Sequence, residues 1–506
     1  MLVEYNKLQN GTDVRGVAIT NTERQVNLTV ESVRFIAYGF IKWLENKTKM
    51  DSNKLKIAIG MDSRLSGPDL KNSIIEVLIK QGCKVYDCSM CTTPAMFMTT
   101  VLEENKCHGA IMITASHLPY YYNGLKFFTK KGGCEKEDIK NIVSIASEEK
   151  ITTVENEGQI FKVDFIDIYS KLLVNIIREG ASSKKNYDKP LLGFKIIVDA
   201  GNGAGGFFAD KVLKVLGADT TGSQFIEPDG TFPNHIPNPE DKEAMESIRN
   251  AVLKNKADLG IIFDTDVDRA AIVDSNGMEI NKNSLIALIS SIILEEHPAS
   301  IIVTDSVTST GLAEFINGLG GIHHRFKRGY KNVINEAIRL NNEGKESYLA
   351  IETSGHAALK ENYFLDDGAY LISKILIKMA KLNEEGKKLE SLIRDLKTPC
   401  ESSDFRLKIK NDNFREYGSV IINDLEAYVK EIDGFNIVTN NYEGIRVECD
   451  KQNGEGWFLL RLSLHEPVLA LNIESDIENG TKTIINKLII FLSKYSELDI
   501  SSVENY

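Results

Sequence analysis

Short runs rich in Ile and Val alternate with amphipathic helical patterns along most of the chain, from residue 56 onward. In the first block this pattern predicts strands over residues 56–60, 84–87 and 109–114, with a helix over residues 69–81. Such alternation is typical of parallel βα units, in which helices cover both faces of a sheet. We therefore predict an α/β domain in this block.

The same alternation continues in two further blocks. The second starts after the polar stretch 180–189 and has predicted strands over residues 195–199 and 258–263. The third is predicted to contain strands over residues 300–304 and 348–352 and helices near residues 283–295 and 367–381. Three comparable blocks suggest a repeated structural unit.

The pattern changes after about residue 398. Predicted strands cluster over residues 435–439, 444–449, 457–463 and 468–474, and a final helix carries an apolar stripe of Ile484, Ile485, Leu488, Ile489 and Leu492. Strands without helices between them favour an antiparallel sheet. The predicted fold class is α/β, with three tandem α/β domains that have mixed sheets, followed by a C-terminal α+β domain with an antiparallel sheet. The predicted domain boundaries are 1–165, 166–276, 277–396 and 397–506.

The length and net charge of the chain limit the number of domains and the kinds of partner that we expect. A chain of 506 residues is too long for one hydrophobic core. Its 72 acidic and 60 basic residues give a net charge of −12, which repels nucleic acid and anionic membranes. The N-terminus lacks the basic-then-apolar order of a signal peptide, and no apolar stretch is long enough to span a bilayer. We expect a cytoplasmic protein without nucleic-acid or membrane partners.

The sharpest chemical feature is the sequence DTDVDR at residues 264–269, directly after an apolar run. Alternate residues of an extended segment face the same side, so Asp264, Asp266 and Asp268 are expected to converge. Converging carboxylates repel one another unless a cation neutralises them. Oxygen ligands without His or Cys favour Mg²⁺, and these three aspartates are therefore predicted metal ligands.

Two other interpretations of this loop were weighed. A calcium loop needs Gly at its sixth position and Glu at its twelfth, where this chain has Arg269 and Ser275. A solvated turn is the simplest alternative. A strand that leads into three acids and an adjacent arginine is more typical of a phosphate and metal site.

The second feature is Ser116, in a polar loop that follows a predicted buried strand. A serine hydroxyl is a weak nucleophile at neutral pH and needs a nearby base, for which His117 and Lys126 are the local candidates. The GxSxG motif of α/β-hydrolases does not occur in the chain. The alternative is an ordinary polar loop.

The third feature places Glu352, Ser354 and His356 after another predicted strand. Ligand sites of α/β folds form at the carboxyl ends of strands, and these side chains can hydrogen-bond sugar hydroxyls. The basic turn 325–331 upstream offers Lys331 to a phosphate group. Alternatively, Glu352 pairs with a surface base and the turn is a solvated charge run.

Residues 201–206 satisfy the GxGxxG pattern of dinucleotide-binding folds after a predicted strand. The acid that should close the next strand is poorly placed, because Glu227 and Asp229 lie beyond the usual spacing. A nicotinamide enzyme is therefore a third class of function, but it explains neither the aspartate loop nor Ser116.

Taken together and in order, these segments resemble the α-D-phosphohexomutase superfamily, particularly its phosphomannomutase/phosphoglucomutase members. The resemblance covers nearly the whole chain. It rests on GTDVRG at 11–16, GMDSR at 60–64, TTP at 92–94, PDGTFP at 228–233 and the Ser116, Asp264 and Glu352 loops.

The resemblance implies four domains around a central cleft and a phosphoryl group carried by Ser116. It implies Mg²⁺ held by Asp264, Asp266, Asp268 and a phosphoserine oxygen of Ser116, with hexose 1,6-bisphosphate as activator, in a monomer or homodimer. The implied catalytic residues besides Ser116 and His117 are Arg15, Lys126 and His356. The implied substrate-binding residues are Arg269, Lys331, Glu352, Ser354, Arg461, Ser463 and His465.

Three motifs depart from the family pattern. Leu118 stands where the family's TASHNP has Asn, and Thr265 where its DGD has Gly. In the last domain, Leu464 and His465 replace the Gly and Thr of the RxSGTEP phosphate loop. The lost donors would leave Arg461, Ser463 and His465 to hold the second phosphate.

The resulting hypothesis is a mutase that interconverts hexose 1-phosphate and hexose 6-phosphate, of glucose, mannose or both, through a phosphoserine and a bisphosphate intermediate. Two alternatives keep the same fold. One is a phosphotransferase that forms a sugar bisphosphate, and the other is a weakly catalytic protein that binds sugar phosphates.

Overall fold

The computed structural model describes residues 5–20, 24–148, 150–463 and 466–506. The chain forms two compact units. The first comprises Met1–Asn281 with Ser354–Ser391, and the second comprises Lys282–Thr353 with Leu392–Tyr506. Across the described ranges, no helix combines the length and apolar character needed to cross a bilayer.

The first α/β domain is built on an eight-stranded mixed sheet in the order β1-β2-β6-β5-β3-β4-β8, with β7 paired to β6. Its strands are β1 (Gln9–Asn10), β2 (Asp13–Val17), β3 (Lys56–Met61), β4 (Lys84–Met90), β5 (Gly109–Ile113), β6 (Tyr122–Thr129), β7 (Gly132–Gly133) and β8 (Gln159–Lys162). Its helices are α1 (Val30–Thr48), α2 (Gly67–Lys80), α3 (Thr93–Val101) and α4 (Lys136–Glu148), and α5 (Phe165–Ala181) follows.

Two features of this sheet place the polar loop that follows β5. All five residues of β5 are buried, and burial continues through Ser116 in the loop that follows. Strand β6 then returns antiparallel to β5, with Lys126 opposite Met112. Ser116 and Lys126 are thereby brought to the same end of one hairpin.

The second domain has a four-stranded sheet in the order β12-β11-β10-β9. Its elements are β9 (Ile196–Asp199), α6 (Lys242–Asn255), β10 (Leu259–Phe263), β11 (Ala270–Asp274) and β12 (Glu279–Ile280). Strands β9 and β10 are parallel, whereas β10 and β11 form an antiparallel hairpin in which every residue is buried. The aspartate loop closes this hairpin.

A buried ion pair stabilises the second domain behind β9. His235 Nε2 lies 3.0 Å from Asp199 Oδ1, and His235 Nδ1 lies 2.9 Å from the Ile236 carbonyl. Both ring nitrogens therefore face acceptors, an arrangement that only the imidazolium satisfies completely. Burial acts to lower the pKa of His235, but Asp199 and the Ile236 carbonyl outweigh it and raise the pKa above its ordinary value.

This pair predicts a pH dependence of stability. A histidine with a raised folded-state pKa contributes its full stabilisation below the unfolded-state pKa of about 6.5 and loses it as the pH rises through the folded-state value. Between about pH 6 and pH 9, we expect the melting temperature of the wild type to fall more steeply than that of His235→Gln.

Thermal unfolding followed by circular dichroism at a series of pH values measures both slopes. His108→Gln is the matched control, since burial lowers the pKa of His108 and this residue is neutral in both states above its ordinary pKa. Parallel curves for the wild type and His235→Gln would show that the pair does not titrate in this range.

The third stretch of the chain contributes elements to both units. Those of the second unit are α7 (Lys282–Glu296), β13 (Ile301–Thr304), α8 (Thr310–Gly318), β14 (Ile322–Arg325), α9 (Tyr330–Asn342) and β15 (Ser347–Ile351). They form a parallel β14-β13-β15 arrangement. Those of the first unit are β16 (Ala357–Leu359), β17 (Leu365–Asp366) and α10 (Gly368–Glu384). Asp367 caps α10 and accepts a hydrogen bond from Tyr169 of α5 at 2.6 Å.

The C-terminal domain is an antiparallel sheet in the order β19-β20-β21-β22-β18-β23 that packs on helices. Its elements are β18 (Glu401–Ile409), α11 (Phe414–Lys430), β19 (Phe435–Ile437), β20 (Ile445–Cys449), β21 (Gly456–Leu462), β22 (Val468–Ser475), α12 (Gly480–Leu492), β23 (Leu498–Asp499) and α13 (Ser501–Glu504). The predicted fold class is confirmed, and each predicted strand and helix begins and ends within three residues of an observed one.

Candidate active site

Ser116 lies in the loop after β5 and is buried. Its hydroxyl donates a hydrogen bond to Asp264 Oδ2 at 2.9 Å, and its Oγ lies 3.3 Å from His117 Nδ1. Its backbone has a φ of 50°, in the left-handed region that non-glycine residues rarely adopt. Strain of this kind persists where surrounding contacts fix the backbone, and it occurs often at functional sites.

The aspartate loop is compact and is not the extended segment that the sequence analysis assumed. The Val267 amide donates to the Asp264 carbonyl, and Val267 has a φ of 67°. The loop turns because it must join the antiparallel strands β10 and β11. The expected convergence nevertheless occurs, since carboxylate oxygens of Asp264, Asp266 and Asp268 all lie within 4.8 Å of one another.

Two basic side chains contact this buried acidic cluster. Lys126 Nζ donates to Asp268 Oδ2 and lies 3.1 Å from Asp266 Oδ2, while Arg269 Nε lies 3.2 Å from Asp264 Oδ2. Burial and the two neighbouring carboxylates raise the pKa of Asp264. Burial also acts to raise the pKa of Asp268, but the charge of Lys126 lowers it below its ordinary value.

The cluster fits a divalent cation. Asp266 Oδ1 and Asp268 Oδ1 are buried and accept no hydrogen bond from any residue within the described ranges. A buried acceptor without a partner is unfavourable by about 1–3 kcal/mol, which coordination to a cation would offset. An all-oxygen ligand set of carboxylates suits Mg²⁺.

Thr265, which replaces a family glycine, is accommodated because its backbone does not have a positive φ. The Thr265 carbonyl accepts a hydrogen bond from the Ala204 amide at 2.8 Å. A Cβ on Gly203 would lie 2.7 Å from the same carbonyl. The glycine-rich turn at residues 201–206 thus packs directly against the aspartate loop.

Gly203→Ala is expected to push Thr265 and the aspartate loop out of position. The added methyl group would clash with backbone atoms, and such overpacking typically destabilises a protein by about 1–3 kcal/mol. Unfolding by urea or heat, with and without Mg²⁺, measures both the loss of stability and any loss of the response to the cation. Gly318→Ala is the control, because nothing lies within 4 Å of a Cβ at Gly318. If Gly203→Ala and Gly318→Ala had the same stability and the same response to Mg²⁺, the turn at residues 201–206 would not support the aspartate loop.

Arg15 and His117 lie beside the serine loop. Arg15 donates to Asp13 Oδ2 from Nη2 at 2.9 Å and to the Ala115 carbonyl from Nη1 at 3.4 Å. Burial, together with Arg269 and Arg15, lowers the pKa of His117 to about 2. His117 is therefore neutral at physiological pH and is a weak base, and its Nδ1 lies 3.3 Å from the Ser116 Oγ, whose proton is donated to Asp264.

His356 precedes β16 and lies at the edge of the acidic cluster. Its Nδ1 is 3.1 Å from Asp366 Oδ2 and 3.9 Å from Asp268 Oδ1. Burial acts to lower its pKa, but the charges of Asp268 and Asp366 raise it above the ordinary value. The first unit therefore brings Ser116, Lys126, Arg269 and His356 to the three aspartates, and it also contains Ser354.

Thr93 is a site residue that the sequence analysis did not single out. Its amide donates to the Asp266 carbonyl at 2.9 Å, and its hydroxyl donates to Asp266 Oδ2. Thr93 is the first residue of α3, whose N-cap is Thr92. A capping threonine followed by a proline signals a helix start, and a helix N-terminus favours a nearby carboxylate.

The second unit contains the remaining predicted substrate-binding residues. Glu352 follows β15, is buried, and accepts a hydrogen bond from the Gly329 amide. Lys331 lies in the first turn of α9. Ser463 follows β21 and donates its amide to the Val468 carbonyl at 2.9 Å. His465 lies outside the described residues.

Arg461 of β21 is paired with an acid that the sequence analysis did not consider. Its Nη1 lies 3.6 Å from Glu443 Oε1. The other oxygen of Glu443 accepts hydrogen bonds from the Ser306 hydroxyl at 2.6 Å and the Arg328 amide at 3.0 Å. Glu443 thus links Arg461 to the loops that follow β13 and β14.

Comparisons with known proteins place this chain in a family. Three models described as phosphoglucomutase/phosphomannomutase α/β/α domains I, II and III match residues 6–152, 168–277 and 281–399. The phosphoglucomutase of Neisseria gonorrhoeae is 30% identical over 434 residues, which cover 85% of this chain and 87% of that protein. The chain belongs to the α-D-phosphohexomutase superfamily. The prediction of an enzyme of this phosphotransferase family is thereby confirmed.

Other members of the superfamily also match over most of their length. The phosphomannomutase/phosphoglucomutase of Pseudomonas putida is 30% identical over 423 residues, covering 83% of this chain and 84% of that one. A phosphoglucomutase/phosphomannomutase family protein from Burkholderia thailandensis has a solved structure with a TM-score of 0.78 and 26% identity. The match covers 96% of each chain, so the C-terminal domain is included in the shared fold.

Proposed function

We propose that this chain interconverts hexose 1-phosphates and hexose 6-phosphates, of glucose, mannose or both, through a phosphorylated Ser116. The observation that carries this proposal is the 2.9 Å hydrogen bond from Ser116 Oγ to Asp264 Oδ2 within a buried cluster of three aspartates. A nucleophilic oxygen is thereby held beside the groups that suit a divalent cation. The names of the relatives support the same substrate class.

In the first step, phospho-Ser116 donates its phosphoryl group to a hydroxyl of a hexose monophosphate. The bond between phosphorus and Ser116 Oγ breaks, and a bond from phosphorus to the sugar oxygen forms. Arg15, Lys126 and His356 are proposed to flank the sugar hydroxyl and to assist the transfer of its proton, and Ser116 Oγ takes up a proton as its bond to phosphorus breaks. Asp366 engages His356 Nδ1, so Nε2 is the nitrogen proposed to exchange the proton.

Charge neutralisation is the main task of the surrounding residues, because phosphoryl transfer depends on positioning and electrostatics. Mg²⁺ held by Asp264, Asp266, Asp268 and a phosphoserine oxygen would supply positive charge beside the transferred group. Arg269 is proposed to hold the phosphate on Ser116. The positive charge of Lys126 offsets part of the negative charge of the three aspartates.

In the second step, the sugar bisphosphate turns and returns its other phosphoryl group to Ser116. The product then differs from the substrate only in the position of the phosphate. Hexose 1,6-bisphosphate is proposed to restore phospho-Ser116 in any dephosphorylated enzyme. Glu352 and Ser354 are proposed contacts of the sugar hydroxyls and Lys331 is a proposed phosphate contact. Arg461, Ser463 and His465 are proposed contacts of the second phosphate.

One observation favours a second candidate function. Glu443 lies 3.6 Å from Arg461 and competes with a phosphate for the guanidinium group. A weak hold on the second phosphate would let the bisphosphate leave before it turns. Release of a sugar bisphosphate as a main product is therefore the alternative, in which a second hexose monophosphate returns a phosphoryl group to Ser116 and leaves as free hexose.

The test is an assay of purified protein with Mg²⁺, a hexose 1,6-bisphosphate primer and a panel of hexose 1-phosphates, followed by ³¹P NMR. Interconversion, together with a phosphate on Ser116 by mass spectrometry, is the expected result. Accumulated bisphosphate would favour the alternative. Binding by calorimetry without turnover would identify a sugar-phosphate binding protein and overturn the mutase.

A further inference from the structure

The backbone of the serine loop is held by one fully buried guanidinium group. Arg64 follows β3, and only 1% of its surface is exposed. Its Nη1 donates to the carbonyls of Pro119 at 2.8 Å and Tyr122 at 2.9 Å. Its Nη2 donates to the carbonyl of Leu118 at 2.6 Å and also to that of Ser116. One side chain thus contacts four carbonyls of residues 116–122.

Asp62 fixes the position of this guanidinium. Its Oδ1 accepts a hydrogen bond from the Arg64 amide at 2.9 Å, and its Oδ2 lies 3.3 Å from Arg64 Nε. The Asp62 amide in turn donates to the Ile113 carbonyl at the end of β5. The pair is therefore attached to the same strand from which the serine loop emerges.

The second domain covers the opposite side of Arg64. The ring of Phe232 lies over the guanidinium, with 5.2 Å from its centroid to the Arg64 Cζ. In the same turn, a Cβ on Gly230 would lie 2.4 Å from the Ser63 carbonyl, so only glycine permits this approach. Residues 228–233 thus close the space in which Arg64 sits.

Two of the hydrogen bonds in this region hold the backbone of Ser116, the residue of the loop that has a positive φ. The Ser116 amide donates to Thr114 Oγ1 at 2.9 Å, and the Ser116 carbonyl accepts from Arg64. Both backbone polar groups of Ser116 are therefore engaged, as its φ of 50° requires if that conformation is to persist. A planar guanidinium can serve four carbonyls at once, whereas the ammonium group of lysine has three donors.

We propose that Arg64, seated by Asp62 and covered by Phe232, is a positioning residue that holds the Ser116 backbone so that Oγ stays aligned for phosphoryl transfer. The catalytic part of this inference rests on the proposed function. It also gives one common role to two segments, GMDSR at 60–64 and PDGTFP at 228–233, that had none.

The experiment compares Arg64→Lys, Arg64→Ala and Phe232→Leu with the wild type. For Arg64→Lys we expect kcat to fall about 10²-fold while KM changes by less than about threefold, because misplacement by about 1 Å has effects of this size on the transfer step. Phe232→Leu should lower kcat by a smaller factor. Added guanidinium ion should partly restore kcat in Arg64→Ala, a rescue that a merely structural role would not produce.

Hydrogen–deuterium exchange supplies a readout that does not depend on activity. Faster exchange confined to the amides of residues 116–122 is expected in Arg64→Lys and Phe232→Leu. The control is Arg34→Lys, since Arg34 forms a partly exposed pair with Glu76 at 2.6 Å, and it should change neither exchange nor kcat.

The outcomes separate this inference from the proposed function. Unchanged kcat and unchanged loop exchange in Arg64→Lys would overturn the positioning role, even if the wild type is an active mutase. An inactive wild type would instead refute the proposed function, and loop exchange would still decide whether Arg64 holds the backbone. If Arg64→Ala does not fold, the results for Arg64→Lys and Phe232→Leu still test the positioning role of Arg64.

Discussion

Ser116→Ala is expected to lower hexose phosphate interconversion roughly 10³-fold or more, because the variant has no oxygen to carry the phosphoryl group. The change removes one hydroxyl, and the loop keeps its four hydrogen bonds to Arg64. Binding of the hexose phosphate should therefore persist while turnover is lost. Initial rates and calorimetric titration measure the two effects separately.

Cys88→Ala is the matched control for this variant. Cys88 is a buried, unpaired thiol in the same domain, and burial raises its pKa well above the ordinary value, so it is not a nucleophile. This control should retain activity and incorporate phosphate from a labelled bisphosphate. Comparable turnover in the two variants would show that Ser116 does not carry the phosphoryl group.

Chelation of divalent cations is expected to lower activity about 10²-fold or more, and added Mg²⁺ should restore it. The physical reason is the proximity of three buried carboxylates, two of which have an oxygen without a hydrogen-bond partner among the described residues. A cation that relieves their repulsion also stabilises the folded state by mass action. The apparent melting temperature should therefore rise with Mg²⁺ even without substrate.

Asp266→Asn tests whether this response comes from the aspartate loop. The variant should lose most of the Mg²⁺-induced shift in melting temperature. Asp51→Asn, at an exposed residue paired with Lys54, should keep the whole shift. A wild type whose activity and melting temperature are both indifferent to chelation would rule out a metal at the cluster.

The sequence predicts much of the fold because its apolar runs are separated by clear helical patterns. The same reasoning locates Ser116 and the aspartate loop, since in each a polar segment directly follows a strongly apolar strand. The long helices α1, α5 and α11 were not assigned. The buried residues of α5 and α11 nevertheless recur every three or four positions, which is the spacing of a helix with one buried face.

The supporting residues were harder to predict because several of their partners are backbone groups. Besides their side-chain partners Asp62 and Asp266, Arg64 acts on four backbone carbonyls and Thr93 donates its amide to a carbonyl, and these backbone contacts leave no signal in the residue types. Glu443 lies in the loop before β20 and meets Arg461 of β21 only in the folded domain, 18 residues away along the chain. The turn geometry at Val267 depends on β11 returning antiparallel, which the apolar pattern alone does not specify.

The hairpin of β10 and β11 has a consequence for how the aspartate loop can open. Loops that bind ligands usually belong to the parts of a protein with a low free energy of local unfolding. Here the strands on both sides of the loop are buried at every position. A large rearrangement of the three aspartates would have to pull these strands out of the second domain, so a bound cation should enter and leave through small loop fluctuations while that domain stays folded.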